Sequence, residues 1–327
     1  MERNRGSNVL LGYLAIVLLC LPACGSGDEG PSESSSINVV QKPKFAEVYP
    51  HSPVGSSSDM GLNTIVGDYV FLAYSRVHES LAQEIAPVVS AMNQFAVELV
   101  GTAYRIHGLV LVENQGDLPL EMHGKNWVGV DGISCLVRQT AEESLPFEDE
   151  FLSYMVFPFL IHENVDIGIK AECLGGRLTV ESLSCRWFVE GISEFVACEA
   201  VKNFPQKNAL SLLKKNYLKG LSQAPMISLN IGDQEAWWPQ LSAGSPGDVI
   251  YSYAAAHYVV WKVSSTAGTS WISQTLKGIE SEGAKNKATS ADFVRIAAPV
   301  VGEDLTLFIR SVDMQEVHRF TNSIPVP

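Results

Sequence analysis

Positive charge is scarce in this chain. Lysine and arginine total 23 against 36 aspartates and glutamates, a formal net charge of −13 over 327 residues. No stripe of basic side chains runs along any segment, so nothing could track a phosphate backbone, and nucleic acid is excluded as a partner. Nucleophile and phosphate signatures are missing too. There is no Gly-x-Ser-x-Gly turn and no glycine-rich phosphate-binding turn after a strand, and no repeat of fixed period. Cysteine is sparse, with six in all. What is plentiful is apolar: 46% hydrophobic content excludes wholesale disorder, and the length suits one large domain or two small ones.

The only long apolar run lies at the start. Arg3 and Arg5 precede Val9 to Leu21, a stretch too short for a comfortable transmembrane helix. Residues 1–23 therefore read as an export signal. The run ends Leu21-Pro22-Ala23-Cys24 and continues Gly25-Ser26-Gly27, which resembles a bacterial lipobox with Cys24 as the lipidated residue. Ordinary cleavage to a free soluble protein is the alternative. The lipobox implies attachment to the membrane of a bacterial cell envelope through acyl chains. If the source has two membranes, the outer one is expected, because Gly25 replaces the aspartate that commonly retains lipoproteins inside. An acidic body does not suit anionic lipid, so the chains alone would hold it. Cys135, Cys173, Cys185 and Cys198 remain in a compartment that permits disulfides, with three full pairings open.

Residues 24–61 are rich in Ser, Gly and Pro and read as a flexible tether. A folded domain is expected over 62–315, with a short tail over 316–327. Tyr69 to Tyr74 reads as its first clear strand, Glu79 to Leu99 as a long amphipathic helix, Gly108 to Glu113 as a strand, and Trp127 to Val137 as a glycine-broken strand pair. The acidic run Glu148-Asp149-Glu150 suits the positive end of the helix that follows. Helices are expected over Glu190 to Val201, Leu210 to Leu221 and Ile250 to Val263, and from Ser270 and Ala291. Lys214, Lys215 and Lys219 read as a solvated face, and Trp237-Trp238-Pro239 as core rather than cleft lining.

Chemistry concentrates in two segments. Phe159-Leu160-Ile161-His162-Glu163-Asn164-Val165-Asp166 puts His162 and Asp166 one helical turn apart, with Glu163 beside them. Trp187-Phe188-Val189-Glu190-Gly191-Ile192-Ser193-Glu194-Phe195 offers a further carboxylate from a second helix. Two ligands on one helix face and a third from a neighbour can hold an ion with one open position for water. A carboxylate beside that water can take its proton.

Here the chain resembles the gluzincin metallopeptidases, most closely the peptidase MA-like families in which an HExxH helix precedes a WxxEGxAE(Y/F) helix. Trp187, Glu190, Gly191, Glu194 and Phe195 match the second pattern, and Ile250 to Val259 looks like the later helix of these families that opens with a Tyr-Ala pair. The resemblance covers roughly Gly67 to Val312. It implies an α+β, thermolysin-like domain with a small mixed sheet, a long helix, two motif helices and a helical C-terminal half. It makes His162, Asp166 and Glu190 metal ligands, Glu163 the general base, and Tyr253 a hydroxyl donor to the oxyanion. Glu194 becomes a further carboxylate near the metal or an orienting partner of His162. The cofactor implied is zinc or another divalent metal, and the substrate a peptide or protein.

Two departures stand out. Asp166 replaces the second histidine, and the gap to Glu190 exceeds the commonest spacing, which a turn at Leu174-Gly175-Gly176 can absorb. An aspartate reaches less far, cancels more of the ion's charge and tilts the shell toward manganese or calcium, so water activation weakens. Two functions follow: a metal-dependent peptidase, or an inactive peptidase-like scaffold that keeps the cleft for binding. His257 reads as a satisfied helical histidine rather than a substitute ligand. His51, His78, His107, His123 and His318 read as structural or exposed.

Overall fold

The computed structural model describes residues 44–49, 51–139, 157–175, 183–203, 209–222, 224, 227–237, 250–282, 288–302 and 304–325. All lie in one compact unit, Gln41–Pro327. Cys24 and Glu148 to Glu150 fall outside the described residues.

Alternation of side chains builds the sheet. In β4 (Val70–Tyr74) and β6 (Gly108–Val112) every residue is buried. Val70, Leu72, Tyr74, Leu109 and Leu111 face one apolar cluster, while Phe71, Ala73, Val110 and Val112 face another. A strand buried on both faces belongs in the middle of a sheet. With β2 (Val54–Gly55), β3 (Asn63–Gly67), β7 (Trp127–Val130) and β8 (Ile133–Gln139) these strands form a six-stranded sheet in the order β2-β7-β8-β6-β4-β3. It is mixed: β4, β6 and β8 run parallel, and β3 and β7 run against their neighbours β4 and β8.

Helix α1 (Glu79–Val100) lies on the side of the larger cluster. Its buried residues Ala82, Ile85, Ala86, Val89, Met92, Asn93, Ala96, Val97 and Val100 follow the spacing of one helix face. The helical half follows: α2 (Phe157–Cys173), α3 (Arg186–Asn203), α4 (Ala209–Leu221), α5 (Gln234–Trp237), α6 (Ile250–Ala267), α7 (Ser270–Ser281), α8 (Ser290–Val301), α9 (Leu305–Arg310) and α10 (Met314–Ser323). Among the described residues no helix is long and apolar enough to cross a membrane.

Both ends of the expected domain move outward. Residues 44–61 are not all tether: β1 (Lys44–Phe45) pairs with β5 (Arg105–Ile106), β2 pairs with β7, and Ala46 is buried. Two-residue strands carry too little periodicity to be seen in sequence. The expected tail is also structure. Asp313 caps α10 through its side chain, and Val317, Phe320 and Ile324 are buried in the core. Lys214 is not simply solvated; its ammonium donates to the carbonyls of Asn322 and Ile324 at 2.7 and 3.3 Å. Lys215 and Lys219 are exposed as expected. Trp237 is core: it is buried, and its indole N–H donates to Ile231 at 2.6 Å. Cys135, Cys173, Cys185 and Cys198 are buried, and no disulfide joins any two of them.

Candidate functional site

Helices α2 and α3 pack side by side and bring the two sequence motifs together. Gly191 explains the glycine of the second motif. A Cβ there would stand 2.7 Å from the carbonyl oxygen of Ala256, so only a bare backbone lets α3 approach α6 this closely. That approach brings Glu190 and Glu194 toward α2, with Tyr253 arriving from α6.

His162 lies between two carboxylates. Its Nε2 is 3.2 Å from Glu190 Oε2, and its Nδ1 is 3.4 Å from Glu194 Oε1. Burial alone would lower its pKa, but the hydrogen bond to Glu190 and the charges of Glu194, Glu190 and Glu163 reverse this and lift it to about 10. Both ring nitrogens thus face carboxylate oxygens, a setting that favours the protonated imidazole. Glu190 is opposed by its own burial and held below the usual carboxylate range chiefly by His162, with help from Lys170 and Arg186.

Two more cations complete the cluster. Arg186 Nε donates to Glu190 Oε1 at 3.0 Å, and its terminal nitrogen donates to the Tyr253 hydroxyl at 2.6 Å. The guanidinium also lies over the rings of Trp237 and Tyr253. Lys170 binds Asp166 Oδ2 one turn along α2. Asp166 Oδ1 is buried with no hydrogen-bond partner among the described residues. Burial first, then the charge of Glu190, raises the Asp166 pKa against the pull of Lys170.

Would a metal ion fit these donors? Two ligands bound about 2.0–2.1 Å from one zinc stand roughly 3.3 Å apart, so the His162–Glu190 separation alone is compatible. The rest of the set is not. Asp166 is drawn to Lys170, and Arg186 holds the other Glu190 oxygen, so neither carboxylate is free to turn to an ion. Among the described residues no group of three or more His, Cys, Asp or Glu side chains is gathered as a metal's ligands would be. The residues present do not fit a three-ligand zinc centre.

Glu163 has a different setting. With His162, Glu194 and Tyr253 it lines a cavity of about 310 Å³ whose other walls are mainly apolar, among them Phe159, Val201, Leu210, Leu213 and Ile250. Among the described residues no hydrogen bond or ion pair holds its carboxylate. Burial raises its pKa, and the His162 charge partly offsets that. Further in, Tyr217 donates to Glu194 Oε2 at 2.6 Å and lies 3.1 Å from His257 Nδ1. Burial and then the charge of Lys202 push His257 down to about 3, so it stays neutral and satisfied, as its sequence setting suggested.

No protein-family model matches the chain, and no curated protein sequence does. Solved structures give a weak likeness. One is an M1 zinc metallopeptidase mutant from Deinococcus radiodurans, with TM-score 0.42 and 10% identity, covering 87% of this chain and 52% of that one. The same mutant with a Tyr-Ser-Ala substrate gives TM-score 0.41 and 11% identity, covering 81% and 53%. The chain thus spans about half the length of the structures it matches. Likeness at that level carries no argument about activity, which has to come from the side chains.

Of the residues singled out in sequence, His162, Glu190 and Glu194 meet, and Glu163 and Tyr253 face the same cavity. Asp166 lies within reach of the Glu190 and His162 charges but pairs with Lys170. Lys170 and Arg186 were missed although each stands four residues from its carboxylate on one helix, the spacing at which opposite charges pair. Also missed is a neutral network behind α2. Asn164 Oδ1 accepts from the His107 backbone N–H at 2.9 Å, while its amide donates to Asn93 Oδ1 at 2.8 Å and to the Tyr104 hydroxyl at 3.2 Å. These residues are far apart in sequence and leave no local signal.

Proposed function

We propose that this chain is a non-hydrolytic, peptidase-like binding protein, held at a bacterial cell envelope by acyl chains on Cys24, that grips a segment of polypeptide in the cleft beside Glu163. The reading keeps the gluzincin-like ancestry suggested by the two helix motifs and departs from catalysis. One observation carries it: the positions where a metal would be liganded are neutralised by the protein's own cations, Arg186 on Glu190 and Lys170 on Asp166. Tyr253, which already accepts from Arg186, serves to fix that guanidinium.

The cleft keeps what binding needs. Its apolar walls suit a large aliphatic or aromatic side chain, and the Glu163 carboxylate, unpaired among the described residues, suits a main-chain N–H or a basic neighbour on the same segment. The test uses a tryptic casein digest as probe, with protein from residue 24 onward and Cys24→Ser. Retention of apolar peptides without cleavage, unchanged by added zinc or by EDTA, is the expected result. Cleavage that needs zinc and disappears in Glu163→Gln would overturn it.

A further inference from the structure

The cleft has a polar end and an apolar end. On α3 its lining residues are Glu194, Ala197, Cys198 and Val201, one stripe of the helix that runs about 10 Å away from the carboxylate. On α4 the lining runs from Ala209 and Leu210 to Tyr217, whose hydroxyl donates to Glu194 Oε2 at 2.6 Å. The two helices therefore pass along the cavity in opposite directions. Glu194, Tyr217, His162 and Glu163 gather at one end, and the buried side chains of Val201, Leu210 and Leu213 extend the wall from there.

Glu163 stands outside the ion pairing around it. The three cations of the cluster are each engaged: His162 with Glu190 and Glu194, Lys170 with Asp166, and Arg186 with Glu190. Among the described residues Glu163 has no hydrogen bond or ion pair, and no lysine or arginine lines the cavity. Arg138 on β8 lies 5.1 Å over the Phe159 ring and acts on Glu163 through charge alone. A carboxylate withdrawn from water without a partner is costly, and a cation carried in by a ligand relieves that cost. The same ligand has to offer apolar surface to the rest of the wall. Lysine carries its ammonium on an apolar stem and so suits the junction of the two ends. Around the cleft, a net charge of −13 draws cationic ligands out of solution.

We propose that the cleft selects cationic, amphipathic polypeptide, seating a lysine ammonium on Glu163 and a neighbouring large apolar side chain along the α3 and α4 wall. The proposal rests on the cleft-binding reading and names its ligand.

The probes are peptides of one sequence, acetylated and amidated, in which phenylalanine is followed by lysine, norleucine or glutamate. Titration calorimetry uses the Cys24→Ser protein from residue 24 onward. The lysine peptide should bind about tenfold more tightly than the norleucine peptide, as a charge-assisted contact gives, and the glutamate peptide least. Alanine in place of phenylalanine should weaken the lysine peptide by about tenfold, the loss of one buried aromatic side chain. In Glu163→Gln the preference for lysine should shrink to about twofold or less while norleucine binding holds. Bound lysine peptide should also slow carbodiimide labelling of Glu163 in the wild type, against exposed Glu121 as internal standard, a reading that needs no variant.

Equal binding of the lysine and norleucine peptides would overturn the proposal and leave the cleft-binding reading standing. So would a preference for lysine that survives in Glu163→Gln. A norleucine peptide with a free amino terminus that binds as tightly as the acetylated lysine peptide would put a chain end on Glu163 and overturn the lysine assignment. If no peptide binds, the proposal and the reading fall together.

Discussion

The two sides of α2 hold buried polar groups in opposite ways. Asn164, on one side, closes a network of neutral partners, donating to Asn93 and Tyr104 and accepting from the His107 backbone N–H. His162 and Asp166, on the other, join a cluster of ion pairs: His162 with Glu190 and Glu194, Arg186 with Glu190, Lys170 with Asp166. The neutral side can only hold the helix in place. A charged side buried at this depth is expensive unless paired, so it persists where the pairing is complete or where an ion completes it. Here the protein completes it.

The sharpest way to break the contrast is Glu190→Gln, which leaves His162 and Arg186 without their main partner. Loss of a buried partner costs about 3–5 kcal/mol, read by chemical denaturation. The loss should depend on pH. The folded pKa of His162, about 10, lies above its ordinary 6.5, so its stabilisation is complete below pH 6.5 and fades as pH rises through 10. Glu190 is shifted downward, so its share is complete above the ordinary carboxylate value of 4.5 and fades only as pH falls through its lowered folded value. Wild-type stability should therefore decline from pH 6.5 toward 10, and Glu190→Gln should flatten that decline.

Asn164→Leu tests the other side. It leaves the His107 N–H, Asn93 and Tyr104 short of partners, for a loss of about 2–3 kcal/mol. That loss should be the same at pH 5 and pH 9, and a pH-dependent loss would erase the distinction between the two sides. Gly191→Ala comes next. Its new methyl meets the Ala256 carbonyl, and forcing α3 from α6 should cost about 1–3 kcal/mol by thermal denaturation. The smallest effect expected is Tyr217→Phe, about 1 kcal/mol for the hydrogen bond to Glu194.

What could be read in the sequence followed periodicity. The α1 stripe from Ala82 to Val100 and the alternation in β4 and β6 repeat often enough to be seen, and the motif residues on α2 and α3 share helical spacing. Lys170 and Arg186 were equally legible as pairs four residues from Asp166 and Glu190, but the metal-site pattern drew attention to the carboxylates alone. Strands β1 and β2 were illegible because two residues have no period, and the Asn93–Tyr104–Asn164 network because only tertiary structure brings its members together. Helix α10 had a readable cap in Asp313 and a buried face in Met314, Val317, Phe320 and Thr321. Only its place at the chain's end makes it look like a tail.

The central claim is that Arg186 and Lys170 stand in for a metal. The direct measurement is metal content by mass spectrometry after incubation with zinc, manganese and calcium and then desalting. It compares the wild type with the triple variant Asp166→His, Lys170→Ala, Arg186→Leu. The account predicts a wild type essentially free of metal and a triple variant that gains close to one zinc per chain, lost again on adding His162→Ala. A wild type that keeps near-stoichiometric metal through His162 and Glu190 would contradict it and return Glu163 to the role of general base.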